Sequence, residues 1–305
     1  MRVSDDHNDD NDDNKGESRR TLHFADGSTE RGFHLIVGAD GAWSKTRSSF
    51  LDSETKPSYS GVTRAWTTIP DAESTASDVS RFVARGSVFT FSDGKGLSAQ
   101  QIGDGSIQIS AVRVQELDEK RETISLQEVR SWYEDWTPEL LELLERCEGE
   151  MPMKPLYELP VGYKWTHRSG ITLLGDAAHL MTPFAGEGVN LALQDAMDLS
   201  RAILDAVKNG GLDGRGLDGR ISEYEDVMWK RSVKAMAMTN AMMKDMYFTP
   251  GAPGTSIEKW LLRRVAYELP SLVYPVLYPL IAAAIYGGYL LYRMFGKDIR
   301  KSKQV

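Results

Sequence analysis

Residues 170–204 read GITLLGDAAHLMTPFAGEGVNLALQDAMDLSRAIL, and the fold is decided there. Residues 170–174 form a short apolar run, expected as a buried strand. The run delivers Gly175 and Asp176 at its carboxyl end, where open α/β sheets hold their ligands. A loop punctuated by Pro183, Gly186 and Gly188 follows. From Gly188 to about Lys208 the spacing predicts a helix, with Val189, Leu193, Ala196, Leu199 and Ile203 on one side and Asn209-Gly210-Gly211 as its stop. A helix start beside glycines presents N–H donors and the positive end of a dipole. Asp176 does not favour an anion there, but it accepts hydrogen bonds from hydroxyls. Together the residues suit a ligand that carries a polyol and an electron-accepting ring.

Upstream, Thr21–Ala25 and Phe33–Val37 flank Asp26-Gly27 and read as a hairpin, with Met1–Val3 as the stub of another strand. The hairpin's second arm runs into Gly38-Ala39-Asp40-Gly41. Between residues 59 and 114 the chain is rich in short β-branched and aromatic runs: Val62–Ile69, Arg81–Ala84, Val88–Phe91, Gly96–Gln101 and Ser106–Val112. Asp93-Gly94 and Asp104-Gly105 mark turns between them. The expected product is an antiparallel sheet with one face free to cover a ligand. Ser125 and Glu128 have capping-box spacing, and Thr137-Pro138 opens a second helix, on which Cys147 is placed as a packing residue. Downstream, GLDGRGLDGR (residues 211–220) reads as a surface loop. Ser222–Glu225 caps a helix reaching about Met246, whose methionines are expected to pack rather than to bind.

The bulk properties narrow the function classes. The 305 residues carry a net charge of −8, which disfavours a nucleic-acid partner. Cys147 is the only cysteine, so no internal disulfide forms, and no Cys/His cluster has metal-ligand spacing. The acidic run SDDHNDDNDDN (residues 4–14) lacks the central glycine and terminal glutamate of a calcium loop and is expected to be a disordered connection.

The run GDAAHLMTPFAGEGVN (residues 175–190) resembles the GD motif of the class A flavoprotein monooxygenases, the group that includes para-hydroxybenzoate hydroxylase. It looks most like the tetracycline-inactivating members. LIVGADGAWSKTR (residues 35–47) is similar to that family's DG motif, and PLYELP (residues 155–160) also fits. The resemblance implies FAD as cofactor and NAD(P)H as reductant. It implies that Asp176 meets the ribityl chain and that Pro183, Gly186, Gly188, Val189 and Asn190 line the isoalloxazine. Asp40, Gly41 and Arg47 are implied to assist with FAD and NAD(P)H. Phe89, Phe91 and Gln101 are expected on the sheet face that lines the substrate pocket, and no residue is singled out as a catalytic acid or base.

The fold so implied is α/β and para-hydroxybenzoate hydroxylase-like, lacking its first βαβ unit because no GxGxxG follows an apolar strand. The expected division is 1–57 and 161–262 for the FAD-binding domain, 58–160 for the substrate sheet and 263–305 for an apolar helical extension. Leu272–Leu291 holds 20 residues without a charge, long enough to cross a ~30 Å hydrocarbon core. Basic residues flank it, Lys259, Arg263 and Arg264 before and Arg293, Lys297 and Arg300 after. The expectation is membrane association, with the enzyme body cytosolic. The ending KSKQV resembles a dilysine-type retrieval signal of the endoplasmic reticulum. The activity implied is hydroxylation or epoxidation of an apolar aromatic or polycyclic molecule with NAD(P)H and O₂. The alternative is a membrane-tethered, non-catalytic remnant, or a fragment completed by a separate N-terminal half.

Overall fold

The computed structural model describes residues 2–5, 20–209, 215–270 and 272–301. Most of the acidic run and the last four residues lie outside them. In chain order the strands and α-helices are β1 (Arg2–Asp5), β2 (Arg20–His23), β3 (Thr29–Phe33), β4 (Ile36–Gly38), β5 (Ser58–Ile69), α1 (Ala72–Thr75), α2 (Ser77–Val83), β6 (Ser87–Ser92), β7 (Lys95–Gln101), β8 (Ile107–Val114), β9 (Thr123–Ser125), α3 (Leu126–Ser131), α4 (Pro138–Glu145), β10 (Glu150–Glu158), β11 (Ile171–Leu173), α5 (Asp176–His179), α6 (Gly188–Asn209), α7 (Arg215–Met243), α8 (Ile257–Glu268) and α9 (Tyr274–Lys301). The chain divides into two units: Met1–Ser58 with Tyr157–Asn240, and Tyr59–Leu156 with Ala241–Val305. Residues 241–262, expected with the FAD-binding part, therefore belong with the sheet, as does the C-terminal extension.

In the first unit β1, β2 and β3 form an antiparallel sheet, while β4 and β11 pair in parallel. The turn falls at Asp26-Gly27 as expected: the Asp26 carboxylate accepts the Ser28 N–H at 2.9 Å and Gly27 sits at φ +86°. The hairpin's second arm is β3, however, not Phe33–Val37. The chain leaves that sheet after Phe33, because the apolar residues Ile36 and Val37 pair with Ile171 and Thr172 of the buried β11. Gly38 has to be glycine: a Cβ there would stand 2.5 Å from Leu173 Cδ2.

Helices α6 and α7 supply much of this unit's core. Leu217, Ile221, Tyr224 and Met228 are buried at spacings of four and three, and the Tyr224 hydroxyl donates to the Leu173 carbonyl at 3.0 Å. That stripe carries the helix back to Arg215, so the second GLDGR copy is helical rather than a loop, and Ser222 is interior rather than a cap. The α6 face is reassigned in part. Leu199 is buried as expected, but its buried neighbours are Leu191, Asp195 and Ala206, whereas Val189 and Leu193 are 73% and 62% exposed.

The second unit is built on a sheet of order β6-β7-β8-β5-β10-β9. One face carries Ala65, Ile69, Leu97, Ile109 and Met151, which pack with buried residues of α2, α3 and α4. Residues 81–84, expected as a strand, fall at the end of α2, where Val79 and Val83 are buried one turn apart. Ser125 caps α3 by accepting the Glu128 N–H at 3.2 Å, but the Glu128 carboxylate pairs with Arg121 instead of closing the box. Cys147 lies just beyond α4. Its thiol donates to the Leu143 carbonyl at 3.2 Å, and burial pushes its pKa up to about 12. On the opposite face the turn Lys244–Phe248 covers part of the sheet: a Cβ on Gly96 would lie 2.6 Å from Tyr247 Oη.

Helix α9 is continuous through Gly287-Gly288, with Pro279 inside it. Its segment Tyr274–Met294 has a mean hydropathy of 1.4, and none of its most apolar stretch is buried in the protein. By length and composition it is able to cross a membrane. Several flanking cations are already paired: Arg263 with Asp245, Arg264 with Glu268, and Arg293 with Glu258.

Candidate flavin site

The carboxyl end of β11 leads into a groove of about 510 Å³ in the first unit. Its lining includes Gly175, Asp176, Pro183, Gly186, Gly188 and Val189, together with Ala39 and Gly41 from the loop after β4. The parallel register between β4 and β11 brings the two loops side by side, although more than 130 residues separate them in sequence. Gly41 (φ +76°) and Gly186 (φ +71°) hold backbone conformations that disfavour side chains. A Cβ at Gly41, Gly186 or Gly188 would meet nothing within 4 Å, so these glycines leave the space above them clear.

Helix α6 begins at this groove. The Leu191 N–H reaches back to the Glu187 carbonyl at 3.0 Å, and the amides of Gly188, Val189 and Asn190 precede that bond in the first turn. Such amides lack intrahelical acceptors and favour a negatively charged or electron-rich partner. Asp176 is exposed on the rim and makes no hydrogen bond among the described residues, so its carboxylate is open to hydroxyl donors. A free acceptor, a glycine-lined floor and a row of amides fit a ligand with a polyol chain and a flat acceptor ring.

Not all the expected residues reach the groove. Asn190 is exposed and outside the lining. Arg47 is only 2% exposed, and its guanidinium donates to the Ala177 and Ala42 carbonyls, both at 2.7 Å. It ties α5, through Ala177, to the loop after β4, through Ala42. Asp40 is spent inside its own turn, accepting from Ser44 Oγ at 2.5 Å, Lys45 N at 2.8 Å and Thr46 N at 3.0 Å. Burial opposes its ionisation, but these donors outweigh burial and hold it below the usual carboxylate range. In the second unit Phe89 and Phe91 share a sheet face, whereas Gln101 pairs with Ile107 on the helix-covered face, so the three do not line one surface.

One group that shapes the groove escaped the sequence reading. Asp195 of α6 is 0% exposed and accepts the Gly175 N–H at 3.0 Å and His179 Nε2 at 2.6 Å, while its other oxygen takes Arg231 Nη2 at 2.8 Å. Burial opposes the charge, yet His179, Gly175 and Arg231 together keep the carboxylate below its ordinary pKa. The signal was a charged residue inside the helix's apolar repeat, four residues before Leu199.

The sequence profile described as FAD binding domain matches residues 4–235. The chain belongs to that family. Among relatives of this FAD-binding chain, the monooxygenase asqM of Emericella nidulans is 29% identical over 74% of the chain and 63% of its own length. A salicylate hydroxylase in substrate complex superposes with a TM-score of 0.66 at 18% identity, covering 81% of this chain and 63% of that one. The tetracycline destructase Tet(51) superposes at 0.55 and 19% identity, over 88% and 68%. These solved structures establish a shared hydroxylase fold. The FAD-binding chain spans about three-fifths of the length of the curated relative it matches.

Proposed function

We propose that this chain is part of an FAD-dependent monooxygenase that uses NAD(P)H and O₂ to hydroxylate or epoxidise an apolar aromatic or polycyclic small molecule. The observation that carries the reading is the groove, where the Asp176 carboxylate, unpaired among the described residues, and the first amides of α6 flank a glycine-lined floor. Bound FAD supplies the redox chemistry, so few side chains need act as acids or bases. Asp176 would accept hydrogen bonds from the hydroxyls of the bound cofactor. The amides of Gly188 and Val189, at the start of α6, would stabilise negative charge on its ring, aided by the helix dipole. Gly41 and Gly186 keep the floor clear, and Asp195 fixes the loop by holding Gly175 and His179. The exposed α9 attaches the enzyme to a membrane.

The test is a fluorescence titration of the purified full chain with FAD. The expected outcome is saturable quenching, weakened roughly tenfold by Asp176→Ala, a loss of about 1.4 kcal/mol. Asp195→Asn is expected to weaken it as well, by loosening Gly175. Failure of the wild-type chain to bind FAD at any concentration overturns the reading. Flavin binding without NAD(P)H oxidation favours the non-catalytic alternative.

A further inference from the structure

Helices α8 and α9 pack side by side in the second unit. Their ends show that they run antiparallel. Arg293, just past the uncharged stretch of α9, pairs with Glu258 at the start of α8 at 3.3 Å and donates to the Gly254 carbonyl. The Arg293 guanidinium also lies 4.8 Å from the Tyr289 ring centroid, which steadies it on its own helix. Helix α8 is in turn fastened to the sheet unit. Arg263 Nε donates to the Asp245 carboxylate at 2.5 Å, and Ser256 Oγ donates to the Asp245 carbonyl at 2.7 Å. Trp260 packs by Phe91, with ring centroids 6.4 Å apart. The apolar helix is thus held along α8, and α8 along the unit.

Exposure along α9 follows the same geometry. Tyr278, Ile281, Ala282, Ile285 and Tyr289 are partly covered, and they recur every three or four residues, as one helix face does. The opposite face holds Val276, Leu280, Ala283, Leu290, Leu291 and Met294, all exposed and apolar. Over this stretch α9 presents no charged side of its own. Helix α8 supplies one, with Glu258, Lys259, Arg263, Arg264 and Glu268. At 1.5 Å per residue, Tyr274 to Arg293 covers about 29 Å and α8 about 18 Å. A crossing by α9 would carry much of α8 into hydrocarbon with these charged side chains, or would break the Arg293–Glu258 pair and part the helices. Charged side chains in a bilayer core are costly. Laid flat, the same hairpin immerses only its apolar face and keeps its charges at the headgroups. Charge also selects the lipid. Residues 257–305 hold eight Lys and Arg against three Asp and Glu, in a chain whose net charge is −8. A basic, apolar hairpin on an acidic protein suits an anionic bilayer surface.

We propose that α8 and α9 form an in-plane hairpin that docks the sheet unit on an anionic bilayer, with the outer face of α9 immersed in one leaflet and neither of its ends crossing. This orientation rests on the membrane attachment inferred above, and adds to it the lie of the helix and the lipid it selects.

The experiment uses the purified full chain carrying Cys147→Ala, given one new thiol at a time by Val276→Cys, Ala283→Cys or Leu290→Cys and labelled there with bimane. Circular dichroism of each variant confirms that it is folded. Sedimentation with phosphatidylcholine vesicles, with and without phosphatidylserine, reads attachment. Quenching by lipids brominated at shallow or at deep acyl positions reads depth. The three probes are expected to be quenched alike, and more by shallow bromines than by deep ones. Phosphatidylserine should tighten binding roughly tenfold, and raised salt should remove that gain. Deep quenching at Ala283 with shallow quenching at Val276 and Leu290 is the mark of a crossing helix; it would overturn the in-plane hairpin and leave attachment standing. Equal binding with and without phosphatidylserine would overturn the lipid selection. A chain that stays in the supernatant, or self-associates through α9 instead, overturns the membrane reading itself.

Discussion

Glu225 gathers three donors around a fully buried carboxylate: Trp165 Nε1 at 3.2 Å, Thr172 Oγ1 at 2.8 Å and His167 Nδ1 at 2.7 Å. The other nitrogen of His167 meets Asp218 at 3.3 Å. Burial works against a charged imidazole, but Glu225 and Asp218 outweigh it and raise the His167 pKa above its ordinary value. Protonation of His167 is therefore favoured by folding. The stabilisation is fully present below the unfolded histidine value of about 6.5 and is lost as pH rises through the folded one. Denaturant midpoints measured from pH 6 to pH 9 should fall for the wild-type chain, and His167→Gln should flatten that slope. A wild-type profile no steeper than the variant's refutes the coupling. Neither this triad nor the Asp195 cluster was legible in the sequence, because their partners lie 16 to 60 residues apart and meet only once α6 and α7 are folded.

Helix α6 shows why an apolar repeat does not by itself identify a buried face. Its sequence offers two stripes: Leu191, Asp195 and Leu199 on one side, Val189, Leu193 and Met197 on the other. Hydrophobicity alone favours the second. The first is the buried one, since His179, Gly175 and Arg231 satisfy the Asp195 carboxylate completely enough to offset its desolvation. The left-over stripe is exposed and apolar, which marks a surface that attracts other apolar matter. The double substitution Leu193→Glu with Met197→Glu should lower binding of an apolar dye and change stability by no more than about 0.5 kcal/mol per site. A loss of several kcal/mol in thermal unfolding would show that the stripe is packed in solution. By contrast, β5, β6, β7 and β8 were readable in advance as strands, from their β-branched and aromatic runs and the Asp-Gly turns between them; their facing was not, and Gln101 falls on the face opposite Phe89 and Phe91. Residues 81–84 were misread for want of length: four apolar-rich residues fit either period, and the buried pair Val79 and Val83 decided for a helix.

At the scale of the whole chain, the GD and DG stretches were legible as partners only through their resemblance to one family; the parallel register of β4 and β11 that sets their loops side by side was not, because residues 33–37 read equally well as a hairpin arm. Nor was the placement of residues 241–262, since nothing local announces which unit a helix will join. The exposed α9 makes a separate prediction. The full chain should sediment with phospholipid vesicles, and a chain ending at residue 270 should remain in the supernatant with its sheet unit still folded. Equal partition of both rules out anchoring by α9. The solitary thiol of Cys147 has a practical consequence on this same scale. Because its sulfur is buried beside Leu143 and burial raises its pKa, an aqueous disulfide reagent should react with it far more slowly in the intact protein than in the opened one. The chain thus carries its own single-hit clock: the rate at which that sulfur becomes titratable records how often the sheet's helical cover comes away.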